Sequence, residues 1–141
     1  MRFTFRLVVL LLALTAPVES HAQSALTFSA RVDLTVAAMA AGGTKWRSRQ
    51  FLIPSGCRYL SHDFAVIEQV PPRATDLPPN RSVVADRLQR DRNGRVVALS
   101  ITVGAVRPLF GADGPASIKV QVNVVAECMD GAAEEMARQF T

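Results

Sequence analysis

Along residues 26 to 36 apolar and polar positions alternate without a break: Leu26, Phe28, Ala30, Val32, Leu34 and Val36 are separated by Thr27, Ser29, Arg31, Asp33 and Thr35. A period of two sends successive side chains to opposite faces, so this stretch predicts a half-buried strand with one wet side. The pattern returns from Ile118 to Cys128. There Ile118, Val120, Val122, Val124 and Ala126 share a face with Cys128, and Lys119, Gln121, Asn123 and Glu127 lie on the other. Between these two the signal is less regular. An Ala-rich stretch and Gly42-Gly43 end the first strand, and a second is predicted from Lys45 to Ile53, with Lys45, Arg47 and Arg49 on one face and Trp46 on the other. Pro54-Ser55-Gly56 makes a turn. Cys57 opens a third extended segment reaching about Val70, in which Phe64, Ala65, Val66 and Ile67 form a continuous apolar run suited to burial on both faces.

Asn93-Gly94 is the strongest turn signal, because a two-residue hairpin turn needs positive backbone φ, which Asn and Gly tolerate best. Placing Arg92 opposite Arg95 pairs Leu88 with Leu99 and Val84 with Val103, and leaves one misfit, Asp86 facing Ile101 on the apolar side. A short helix from Val83 to Asp91, capped by Ser82, competes with this hairpin and is the weaker reading. Pro71, Pro72, Pro78 and Pro79 make residues 71–82 a stiff surface loop, and Asn80-Arg81-Ser82 within it formally fits a glycosylation acceptor. The segment 131–141 has helical composition but is too short to hold a helix without packing, so it reads as a short C-terminal tail. Six strands with short turns predict an all-β fold: a small antiparallel β-sandwich or barrel.

The first 22 residues change the setting. Arg2 and Arg6 precede the apolar run Leu7 to Leu14, followed by Pro17 and by Ser20-His21-Ala22, the three parts of a secretory signal peptide cleaved after Ala22. Its apolar run is shorter than the ~20 residues of a membrane span, so no span is expected after cleavage. Without residues 1–22 the 141-residue chain keeps 119, residues 23–141, enough for a single domain. Loss of Arg2, Arg6 and Glu19 takes the formal charge from +4 to +3. That excess is mild and carried almost wholly by arginine, whose planar fork suits carboxylate and phosphate. Export, to the periplasm or beyond the cell, also places Cys57 and Cys128, the only two cysteines, in an oxidising setting, which predicts one disulfide across the core. Closing the loop from 57 to 128 stabilises by roughly 4 kcal/mol in the chain-entropy account.

Catalytic chemistry is poorly supported. Ser55 lacks the first glycine of a nucleophile elbow, and His62 and Asp63, being adjacent on a strand, point to opposite faces. An oxidised Cys57 cannot act as a nucleophile. Two thiols and one mature histidine make a poor zinc set, carboxylates are scattered rather than paired, and phosphate-binding glycine loops are absent, so neither metal nor cofactor is expected. The distinctive surface feature is a basic hairpin of Arg87, Arg90, Arg92 and Arg95, which Lys45, Arg47 and Arg49 could extend. Nucleic acid is a poor match, since no aromatic stacking platform accompanies the arginines. The expectation is an exported, non-enzymatic binding or accessory protein whose partner is an envelope protein or an anionic glycan or lipid surface. A small hydrolase using His62 and a periplasmic inhibitor of a foreign enzyme are the alternatives. A long first strand at a sheet edge could pair with another chain.

Overall fold

A computed structural model describes residues 24–72 and 83–140; residues 1–23, which include the expected signal segment 1–22, residues 73–82 of the expected proline-rich loop, and Thr141 lie outside them. Six strands occur where alternation and turn residues place them: β1 Ala25–Met39, β2 Thr44–Leu52, β3 Cys57–Val70, β4 Val84–Arg90, β5 Val96–Val106 and β6 Gly114–Cys128. They form two antiparallel three-stranded sheets, ordered β1-β6-β3 and β2-β5-β4, which enclose one apolar cluster. The central strands carry most of it. On β6 the even positions Ile118, Val120, Val122, Val124 and Ala126 are fully buried, and Leu99, Ile101 and Val103 of β5 meet them from the opposite sheet. Each such aliphatic side chain contributes about 1.5–3 kcal/mol by leaving water. No helix among the described residues is long and apolar enough to cross a membrane.

The β4–β5 hairpin has the predicted register, with Leu88 opposite Leu99, Val84 opposite Val103 and Asp86 opposite Ile101, so the segment is a strand and not a helix. Its turn is one residue larger than the two-residue form. The Gly94 amide donates to the Asp91 carbonyl at 3.1 Å, Gly94 takes φ +81°, and the Asp91 carboxylate accepts from the amides of Asn93 (2.8 Å) and Arg95 (3.0 Å). Asp91 therefore organises a type I turn followed by a left-handed glycine, a standard longer hairpin loop. Arg90 pairs with Val96, and Arg92 and Arg95 are no longer opposed.

Three further expectations are corrected. The Phe64–Ile67 run is not buried on both faces: β3 is an edge strand, and Phe64, Val66 and Ile67 are 37, 42 and 51% exposed. A run of apolar residues cannot by itself tell a central strand from an edge whose second sheet fails to reach over it. The disulfide forms, but between Cys57 and Cys128 as direct cross-strand neighbours of β3 and β6, with Cα atoms 4.0 Å apart, so it staples an edge strand to its own sheet instead of crossing the core. Residues beyond 131 are not a loose tail. A helix α1, Ala132–Ala137, buries Met136, and the following 3-10 turn Arg138–Phe140 stacks Phe140 on Phe51 with ring centroids 4.7 Å apart. Gln139 adds hydrogen bonds to both the amide (2.7 Å) and the carbonyl (2.6 Å) of Leu52. Packing supplies the stability that helix propensity alone does not.

Candidate functional site

At the flank where β3 and β4 lie on opposite sheets, three polar side chains meet. The Tyr59 hydroxyl lies 2.5 Å from His62 Nδ1, and His62 Nε2 lies 2.5 Å from Asp86 Oδ2. The Asp86 carboxylate accepts from Nε2–H, and in the neutral imidazole Nδ1 then accepts the phenol proton. Tyr59 and His62 are three residues apart and on a regular strand would occupy opposite faces. A bulge between Tyr59 and Ser61 resets the alternation, so that Tyr59 pairs with Ala126 and His62 with Val124, both on the inward face. The imidazole is nearly enclosed, its side chain 12% exposed, whereas Asp86 stands at the rim at 41%. Burial raises the Tyr59 phenol above its usual 10.0; the Asp86 carboxylate pushes it the same way, and Arg90 pulls it back.

Asp86, the misfit on the apolar face of its strand, is thus the partner of His62, which is itself a polar intruder beside Phe64 and Val66. His62 and Asp63 point to opposite faces, as their adjacency on a strand predicts. Asp63 lies on the outer face and accepts from Asn123 Nδ2 at 2.8 Å, and Ser55 lies in the turn before β3. Both imidazole nitrogens are engaged, by a phenol and a carboxylate, so neither is open to accept a serine proton, and the chain joins the two sheets edge to edge. Among the described residues no group of three His, Cys, Asp or Glu side chains is placed to hold a metal ion.

The cations fall into distinct groups. Lys45, Arg47 and Arg49 do share a strand face, the face of the buried Phe51 and opposite Ala105, Val103 and Ile101; toward the end of the strand Lys45 and Arg47 remain exposed, and Arg49 is half-buried. Arg47 Nη1 donates to the Asp33 carbonyl (2.8 Å), Arg49 Nη1 to the Arg31 carbonyl (2.9 Å), and Arg49 also bonds the Gln139 carbonyl and covers the Phe51 ring. These two guanidinium groups close the flank beside β1. Trp46 is on the opposite face from these cations, as expected; it is the outward face, and the ring, half-exposed, lies against Gly104, where an added Cβ would come within 2.4 Å of it.

On the hairpin, Arg95 Nη2 donates to the carbonyls of Pro54 (2.6 Å) and Cys57 (2.9 Å), and Arg90 Nη1 to the Gly94 carbonyl (2.9 Å). Both are anchored by neutral oxygens and neither forms an ion pair among the described residues. Arg87 and Arg92 are exposed, without hydrogen bond or ion pair among the described residues. Between the hairpin and the start of β3 lies an open groove of about 620 Å³, walled by Arg58, Arg90 and Arg95 and floored in part by Tyr59, Leu60 and Met129. Arg58 is neutralised by Glu127 at 2.6 Å. No family model, curated protein or solved structure matches this chain.

Proposed function

We propose that the mature chain works outside the cytoplasm, in the periplasm or beyond the cell, as a non-enzymatic binding module whose basic β4–β5 hairpin contacts an anionic envelope partner. The observation that carries this reading is the unequal use of arginine. Arg47 and Arg49 reach across to main-chain carbonyls of β1 and close a flank, whereas Arg87 and Arg92 are exposed without hydrogen bond or ion pair among the described residues and Arg90 and Arg95, held by carbonyls of the hairpin and the neighbouring turn, line an open groove. Uncompensated charge on a rigid loop steers encounter and sets specificity. The Tyr59–His62–Asp86 chain is read as a latch between sheet edges, since it engages the imidazole on both sides.

The reading is tested by crosslinking from envelope extract with the oxidised mature protein and an Arg87→Glu, Arg92→Glu variant. These two positions are chosen because their side chains hold no part of the fold. A partner retained by the wild type and lost by the variant is the expected result, and its identity separates an envelope component from a foreign enzyme held by an inhibitor. Equal capture by both proteins overturns the role of the hairpin.

A further inference from the structure

We infer that the groove between the hairpin and the start of β3 is a binding site for an oxyanion, carboxylate or phosphate, carried on an apolar chain. The inference rests on the reading of the hairpin as a contact surface and deepens it, moving the point of recognition from the solvated tip to the concavity beneath it. Charge and anchoring coincide here. Arg90 and Arg95 each donate to main-chain carbonyls, which orient the guanidinium without cancelling its charge, and each retains further N–H donors. A guanidinium already held in place loses little side-chain freedom when an anion arrives. Among the described residues that line the groove none is acidic. Arg58 completes the wall, but its charge is taken by Glu127.

The walls of the groove are tied to the rest of the fold. Arg95 ties the base of the hairpin to the turn at Pro54 and to Cys57, and Cys57 is joined covalently to β6. Ser55 and Asn93 also line the groove, and its apolar part is made by Leu60, Val96, the ring of Tyr59, whose hydroxyl is engaged by His62, and Met129, 59% exposed at the rim. A cationic wall facing such a floor matches an amphiphile with a planar or tetrahedral anionic head. A neutral polar ligand would leave the two charges unanswered, and a bare inorganic anion would leave Leu60 and Met129 uncovered.

Titration of the oxidised mature protein with octanoate, octyl phosphate and octyl glucoside, followed by amide shifts in nuclear magnetic resonance, tests this directly. The three probes share a tail and differ in head group. Shifts centred on Tyr59, Leu60, Arg90 and Arg95 with octanoate, octyl phosphate or both, and at least about tenfold weaker binding of octyl glucoside, are the expected result. The stronger of the two anions names the source. Equal binding of all three, or none, overturns the site.

Arg90→Gln keeps a polar side chain but removes the charge and the guanidinium fork, and is expected to weaken the anionic probes about tenfold. Met129→Glu, which touches no side-chain bond of the fold, sets a negative charge at the rim and is expected to act in the same direction. Wild-type binding by folded samples of both variants also overturns the site. Failure of the hairpin reading is distinguishable: there Arg87→Glu, Arg92→Glu captures the same partners as wild type even while octanoate still fills the groove.

Discussion

His62 and Asp86 each look like an error in their own strand, and each is the other's solution. A polar side chain on an inward face costs free energy unless it finds a hydrogen bond, and here two such faces meet at a flank where water still reaches one of the partners. Tyr59 extends the chain and is the only tyrosine of the protein, so phenolate absorbance reports on it alone. Its pKa is raised above 10.0 in the folded state. The unfolded chain therefore releases this proton first as pH rises, and binds fewer protons than the folded chain above pH 10. Stability falls with pH from there through the folded value. Phenolate absorbance is expected to titrate above 10, and Tyr59→Phe to lessen the loss of stability in urea unfolding between about pH 8 and 11. A phenolate midpoint at or below the ordinary value would contradict this account. The misfit at Asp86 was visible from the hairpin register, but its partner was not, because nothing local to β4 says that β3 lies across from it.

At the scale of elements, β1 and β6 were readable over residues 26–36 and 118–128 because alternation is a local property of a strand with one covered face. β3 was harder. Its two irregularities, after Tyr59 and after Val66, reset which residues face inward, and neither carries a Gly or Pro that would mark it. The second turns Glu68 outward to Lys119, 3.6 Å away. The C-terminal segment was underestimated for a related reason: a short helix is decided by what it packs on. Phe140 lies against both Phe51 and Phe28, with centroids 4.7 and 5.7 Å apart. Phe140→Ala is expected to cost about 2 kcal/mol in urea unfolding, below the full cost of a buried ring because Phe140 is only partly enclosed. An unchanged midpoint would return the segment to a loose tail.

For the whole molecule the open edges matter most. Two three-stranded sheets leave four edge strands, and an unguarded edge invites another chain. β1 is such an edge, as its length suggested, yet the carbonyls of Arg31 and Asp33 are already taken by Arg49 and Arg47. Of the cations expected to extend a contact surface, Arg47 and Arg49 close a sandwich flank through these bonds. Arg47→Ala, Arg49→Ala is expected to keep the strand signal in circular dichroism while sedimentation shows concentration-dependent self-association. A variant that stays monomeric at all concentrations would mean that the β1 edge is protected by other means. The hairpin arginines, in contrast, face outward or line a groove, and it is this difference in surroundings, invisible in composition, that separates structural from available charge.

The order of residues by itself determined the six strands, the inward faces of β1 and β6, the register of the β4–β5 hairpin and the joining of Cys57 to Cys128. Each follows from alternation, turn chemistry or a count of two cysteines, which neighbours in sequence are enough to set. Only the tertiary structure decided which strands are central and which are edges. It also brought His62 to Asp86, enclosed the C-terminal turn over Phe51 and sorted the arginines into flank, tip and groove. Those outcomes depend on contacts between residues far apart in the chain, and the same local pattern is compatible with many strand orders until the packing of two sheets selects one.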